Sequence, residues 1–63
     1  MKKRLEYGYD RHNTSWVIIV FDEDGNEITS SYVGNKEDRD IEINYYKEMY
    51  SIEQSNVIKI KAY

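Results

Sequence analysis

The sequence predicts an α+β domain in which one helix packs on one face of a small antiparallel sheet. Three observations predict it: a strand-like stretch, Thr14–Phe21, that contains the apolar run Trp16–Phe21, a turn-forming DEDGN segment followed by a second alternating stretch, and one helix-length segment over residues 36–51. With 63 residues, the chain has room for one domain with a small core. The predicted element order is strand, strand, helix, strand.

The first predicted strand, Thr14–Phe21, is apolar on both faces. Its side chains form two alternating sets, with Trp16, Ile18 and Val20 on one face and Val17, Ile19 and Phe21 on the other. Such a strand belongs in the middle of a sheet. A single helix covers only one face of a sheet, which leaves the other face for a partner or a second copy. We therefore expect a homodimer.

Two further strands follow from the same periodicity. Glu27–Val33 is predicted to return after the turn at residues 22–26, and Val57–Tyr63 is predicted to close the sheet. In the closing strand the lysines point outward. Its predicted inward residues are Ile58, Ile60 and Ala62.

The N-terminal segment allows two interpretations. Leu5, Tyr7 and Tyr9 alternate with polar residues, which fits a short edge strand. Residues 1–13 fit a mobile arm equally well. The single domain, residues 1–63, therefore has a three-stranded sheet, or a four-stranded one if this segment pairs.

The predicted helix, Lys36–Ser51, carries two opposite apolar stripes. At about 100° per residue, one stripe contains Ile41, Tyr45, Met49 and Ile52, and the other contains Ile43, Tyr46 and Tyr50. A helix on one sheet buries only one of them. The first stripe is predicted to be the core and the second an exposed aromatic ridge of the kind found at interface centres. The alternative is that Tyr46 and Tyr50 are ordinary surface tyrosines.

Negative charge is concentrated in the middle of the chain. Residues 22–53 carry ten carboxylates against three cations, a net charge of −7 in a chain of net charge −3. Such a segment repels nucleic acid and favours a basic protein partner, although the carboxylates are also explained as a solvated face. A nucleic-acid-binding module that uses Lys59, Lys61 and stacking tyrosines is therefore disfavoured.

The sequence carries no recognisable catalytic or cofactor motif. It has one histidine, no cysteine and no glycine-rich phosphate loop, and a calcium loop starting at Asp22 would need glutamate where Val33 stands. We expect no enzymatic activity, no metal and no cofactor. No apolar run approaches the roughly 18 residues that span a bilayer, and no signal peptide is recognisable, so a cytoplasmic protein without a membrane partner is expected.

Three segments, WVIIVFDEDGNE, YKEMY and VIKIKAY, give the chain a family resemblance. From Trp16 onward it resembles the small phage-encoded inhibitors of uracil-DNA glycosylase, acidic proteins that imitate DNA. The resemblance implies an antiparallel sheet with one helix, a dimer, and two helix aromatics four residues apart that grip an apolar side chain of the glycosylase. The matching aromatics are Tyr46 and Tyr50. Because Lys47 stands where that family has an acid, the acidic role passes to Glu42 or Glu48.

The resemblance predicts an inhibitor that blocks the DNA-binding groove of host uracil-DNA glycosylase and does not itself bind nucleic acid. The alternative is an acidic phage-type inhibitor that uses the same helix surface against another host or defence protein, such as RNA polymerase or a CRISPR nuclease. Small inhibitors of those enzymes share the layout, and layout alone does not identify a target. The predicted partner-binding residues are Ile43, Tyr46, Tyr50, Glu42, Lys47, Glu48 and Glu53.

Overall fold

A computed structural model describes residues 2–61, which form a four-stranded sheet with one helix on one face. The elements in chain order are β1 (Arg4–Asp10), β2 (Ser15–Phe21), β3 (Glu27–Val33), α1 (Lys36–Met49), a short 3₁₀ turn (Gln54–Asn56) and β4 (Val57–Lys59). The spatial order of the strands is β3-β2-β1-β4. The predicted α+β class, with one helix packed on one face of the sheet, is confirmed. The sheet was predicted to be antiparallel, and one of its three strand pairs, β1 with β4, is parallel.

Strand β1 confirms the strand interpretation of the N-terminal segment and the four-stranded alternative, but it lies inside the sheet and not at its edge. It pairs antiparallel with β2 along its whole length and parallel with β4 on its other side. Leu5 has no solvent exposure, so the first strand contributes to the centre of the core. The parallel pair arises because α1 carries the chain from the β3 edge to the far edge of the sheet. The sheet is therefore mixed, and the element order is β-β-β-α-β.

Strand β4 presents the opposite face to the core from the one predicted. Its parallel register pairs Leu5 with Val57 and Glu6 with Ile58. Because paired residues of adjacent strands face the same side, Val57 packs on the core and Ile58 is 42% exposed. The prediction that Ile58 points inward is wrong. Ile60 is half-buried, and Ala62 lies outside the described residues.

The two hairpin turns are held by aspartates. Asp10 accepts hydrogen bonds from the backbone N–H of His12 (2.9 Å) and the side-chain amide of Asn13 (2.8 Å). The side-chain hydrogen bond from Asn13, helped by backbone bonds in the same turn, lowers the pKa of Asp10. In the second turn, the predicted one, the Asp22 carboxylate accepts from two backbone N–H groups while Gly25 adopts a φ of 87°.

The core lies between α1 and one face of the sheet. Strand β2 provides its centre, since Ile18 and Val20 have no solvent exposure, which agrees with the predicted central position of this strand. Burying a side chain of this size contributes about 1.5–3 kcal/mol relative to leaving it exposed. The buried core cluster consists of Leu5, Ile18, Val20, Ile43, Tyr46 and Ile52.

The N-terminus of α1 is capped by Asn35. Its side-chain oxygen accepts a hydrogen bond from the backbone N–H of Asp38 (2.8 Å), a group that has no partner within the helix. We expect Asn35→Ala to lower the free energy of unfolding by about 1 kcal/mol and Asn35→Ser to retain most of it. Urea denaturation of the three proteins measures both. Equal stability of Asn35→Ala and the parent chain would contradict this role.

The C-terminus of α1 is closed by a Schellman-type turn. Ser51 adopts a positive φ of 54°, and the backbone N–H of Ile52 donates to the carbonyl oxygen of Lys47 (2.9 Å). The turn folds Ile52 back into the core, where it is 5% exposed. Ile52 is therefore buried as predicted, although the turn places it there and not the helical stripe.

Candidate protein-binding surface

Helix α1 packs on the sheet through the stripe that was expected to be exposed. Ile43 and Tyr46 are each 8% exposed, and Tyr50 packs half-buried against the same core. The predicted exposed ridge of Ile43, Tyr46 and Tyr50 is therefore wrong. These residues hold the helix to the sheet, so three of the seven predicted partner-binding residues belong to the core or pack against it.

The sheet surface under the helix supplies a polar partner for the buried Tyr46. The β3 residues on that side include Ser31, whose hydroxyl forms a hydrogen bond with the hydroxyl of Tyr46. A buried tyrosine hydroxyl needs such a partner. Arg39 lies on the same side of the helix, with its guanidinium 4.4 Å from the centre of the Trp16 ring and 5.5 Å from that of Tyr7.

The opposite side of α1 carries an exposed apolar row, which we call the outer helix stripe: Ile41, Tyr45 and Met49. Their exposed fractions are 66%, 53% and 50%. The residues follow one another at intervals of four, so their side chains lie along one line on the helix surface. The prediction that they form the core is wrong. The prediction that one apolar stripe of this helix is left uncovered by its own sheet is confirmed, with the two stripes exchanged.

Carboxylates flank the outer helix stripe on both sides. At about 100° per residue, Glu42 falls on one flank and Glu37 and Glu48 fall on the other, while Asp38 lies one turn before Glu42 at the N-terminal end of the stripe. Three of these side chains are exposed, whereas Glu42 is half-buried. The stripe is thus an apolar row between carboxylates, a surface complementary to a partner that offers an apolar side chain among cations.

The outer helix stripe faces away from the core on the β3 side of the helix. Tyr46 contacts Ser31 of β3, while Ile43 shares a cavity of about 300 Å³ with Tyr7 and Val57 of β1 and β4. Because Tyr46 lies on the β3 side of the helix and Ile43 on the β1 and β4 side, the order in which the other faces of α1 follow around its axis is known. Turning from Ile43 past Tyr46 leads next to Glu42 and Met49, which places that flank of α1 above the free edge of β3.

The predicted charged residues separate into two groups. Glu42 and Glu48 lie beside the outer helix stripe. Lys47 lies on the other side of α1, where its ammonium group donates to the side chain of Gln54. Glu53 follows the helix and pairs with Lys2 at 2.9 Å, an exposed ion pair that contributes little to stability. The structure therefore brings together only two of the four charged residues that were predicted to bind a partner.

The sheet face opposite α1 is a second apolar surface, which we call the open sheet face: Val17, Ile19, Phe21 and Tyr32. Val17 is only 3% exposed, and Ile19 and Phe21 are half-buried. Register pairs Val17 with Tyr32, and alternation places Ile19 and Phe21 on the same side. Arg4 covers part of this face, with its guanidinium 4.2 Å from the centre of the Phe21 ring. Tyr32 remains 62% exposed. Both faces of β2 are apolar as predicted, and α1 covers one of them.

Within residues 2–61, no group of three or more metal-binding side chains is arranged around a common point. In the same range, no helix has the length and apolar character needed to cross a membrane.

The chain matches no protein-family model, no curated protein and no solved structure. The arrangement of residues on the surface is therefore the basis for assigning a function.

Sequence reasoning missed Ile41, Tyr45 and Met49 as surface residues because both stripes are apolar and both include tyrosine. The helix-facing side of β3 carries hydroxyl groups at Thr29 and Ser31, which suit a tyrosine from either stripe. The angular pattern does not distinguish the stripes either, since it is symmetric between them.

Proposed function

We propose that this chain is a protein-binding inhibitor that inserts the outer helix stripe into a basic groove of an enzyme and keeps nucleic acid out of that groove. Ile41, Tyr45 and Met49 provide the apolar contact, and the flanking carboxylates occupy positions that phosphates would take. The first target to test is uracil-DNA glycosylase, which the sequence resemblance indicates.

The observation that carries this proposal is the exposure of three large apolar side chains in one row. Single exposed apolar residues are common, but a continuous row on a helix is typical of a binding surface. The tyrosine at its centre provides a large, rigid contact area with a polar end, which is why tyrosine is frequent among the residues that dominate binding energy.

Electrostatics supports a basic partner. The segment from residue 22 to residue 53, which contains α1, has a net charge of −7. Carboxylates around an apolar centre accelerate association with a positively charged groove and disfavour association with DNA. The proposal therefore excludes direct nucleic-acid binding as the means of inhibition.

The residues in this proposal differ from those that the resemblance selects. Tyr46 and Tyr50 match the gripping aromatics of the inhibitor family, yet they pack on the sheet. Tyr45 and Met49 have the same spacing of four residues and are exposed. We assign the gripping role to these two, with Ile41 extending the surface by one turn.

A uracil-excision assay tests the proposal directly. The chain is titrated against uracil-DNA glycosylase acting on a uracil-containing duplex, and we expect the rate to fall to zero near one binding equivalent. The control is a gel shift of the same duplex with the chain alone, which should show no complex even at low salt. An unaffected excision rate at a large excess of chain would exclude the glycosylase as the target.

We also propose that the open sheet face mediates homodimerisation. The molecule measures 31 × 20 × 18 Å, so two such faces would bury on the order of 1,200 Å² in total, at the lower end of stable interfaces. Sedimentation equilibrium at micromolar concentration should give twice the chain mass, and Tyr32→Lys should shift the mass towards the monomer. A parent chain that sediments as a monomer and still unfolds cooperatively would contradict the dimer.

A further inference from the structure

The two edges of the sheet differ in how they are protected. Strand β4 has three residues and contains Lys59, with Lys61 close behind it. Short length and lysine are two features that prevent an edge from pairing with another chain. Strand β3 has seven residues, contains neither proline nor lysine, and carries only one charged side chain, Glu27 at its start. The β3 edge therefore lacks these two protections.

Most of the β3 edge also has regular geometry. The only shift of register between β2 and β3 lies between Val20 and Phe21, next to the hairpin turn. From Thr29 to Val33 the pairing is regular. Since no described strand lies on the outer side of β3, every second N–H and C=O group of this stretch points away from β2 and is available to a further strand.

The flank of α1 above this edge is acidic. Glu42 lies next to Tyr46, whose hydroxyl reaches Ser31 at the middle of β3, and Asp38 lies one helical turn before Glu42. A strand added beside β3 would direct alternate side chains towards these carboxylates and towards Met49. The site thus combines free backbone groups with negative charge along one side.

We propose that a basic, extended segment of a protein partner adds to β3 as a fifth strand, with its lysine or arginine side chains beneath Glu42 and Asp38. This inference rests on the proposed function, since it specifies how a protein partner is held. A second copy of the chain is a poorer occupant. If two β3 edges paired about a two-fold axis, the acidic flanks of the two helices would lie on the same side of the joined sheet. The carboxylates of one copy would then repel those of the other.

Amide hydrogen exchange of the full-length ¹⁵N-labelled chain tests the proposal without a known target. The probe is a synthetic nonapeptide of alternating lysine and valine, and the control is the same peptide with glutamate in place of lysine. Outward-facing amides between Thr29 and Val33 should exchange at least about tenfold more slowly with the lysine peptide, because added strand bonds protect them. The glutamate peptide should leave them unchanged.

A pair of charge variants locates the site. Glu42→Gln should weaken binding of the lysine peptide by about two- to fivefold, the range of a single partly exposed charge pair. Glu37→Gln changes the net charge equally on the opposite flank and should leave binding unchanged. Unaltered β3 exchange at saturating lysine peptide, equal protection by both peptides, or equal weakening by both variants would overturn the proposal.

The outcomes for the two proposals are separable. If the chain inhibits the glycosylase but the lysine peptide does not protect β3, strand addition is wrong and the inhibitor proposal stands. If the peptide protects β3 but excision is unaffected, the edge site stands and the glycosylase is not the target.

Discussion

Replacing Tyr46 with alanine is expected to lower the free energy of unfolding by about 3–5 kcal/mol, the range for truncating a large buried aromatic side chain. Tyr46 is 8% exposed, lies within the core cluster, and its hydroxyl pairs with that of Ser31. Truncation leaves a cavity against the sheet and removes the partner of a half-buried hydroxyl. Because the total stability of a small domain is of similar size, much of the variant should be unfolded at 25 °C.

The neighbouring tyrosine provides a matched control. Tyr45→Ala makes the same chemical change one residue earlier in the same helix, at a side chain that is 53% exposed. Its free energy of unfolding should stay within about 0.5 kcal/mol of that of the parent chain, as is usual for exposed sites. Thermal and urea denaturation followed by far-ultraviolet circular dichroism measures both variants. If the two lose equal stability, the assignment of the buried stripe is wrong.

Tyr45→Ala should instead weaken binding to the target by about 2 kcal/mol or more, roughly a thirtyfold rise in Kd. The tyrosine lies at the centre of the outer helix stripe, where a docked partner would exclude water from its ring. Met49→Ala should act in the same direction with a smaller effect, because methionine presents less rigid contact area. Isothermal titration with the purified target measures both changes per folded molecule.

Ile58→Ala is the control for this binding measurement. Ile58 has an exposure similar to that of Met49 but lies on β4, at the far edge of the sheet. Its loss should leave the Kd unchanged when the variant and the parent chain have the same oligomeric state. An equal loss of affinity in Ile58→Ala and Tyr45→Ala would show that target binding does not centre on the helix.

The sequence correctly predicted those elements whose residue pattern fits only one type of secondary structure. Strand β2 was predicted within one residue of its observed start, because few other conformations suit a run of β-branched and aromatic residues. The helix was predicted to begin at Lys36, which is where the structure begins it, with Asn35 as its cap and Glu37 and Asp38 in its first turn. The hairpin turn at residues 22–26 was predicted from its aspartates and glycine.

Relations between elements were harder to predict. The alternation in β1 identified the face of Leu5 and Tyr7, but no local pattern records that a strand pairs on both sides. The phase of β4 follows from its parallel register with β1, which depends on where α1 delivers the chain. The choice between the two helix stripes depends on how α1 lies across the sheet, where Tyr46 meets Ser31 of β3, a residue distant from it in sequence. For the same reason the candidate surface was predicted to be on the right helix but with the wrong residues.

The parallel pairing of β1 with β4 has a consequence for how the chain acquires its structure. Leu5 of β1 pairs with Val57 of β4, so one of the two strands that flank β1 is synthesised long after β1 itself. During synthesis β1 and β2 can form a hairpin early, but one side of β1 stays open until α1 has crossed the sheet and β4 has emerged. Contacts this distant in sequence slow folding, because the chain loses the conformational entropy of closing a long loop before it gains the energy of the contacts. The side of β1 that pairs with β4 in the folded molecule is therefore a site at which a nascent chain can pair with the wrong strand.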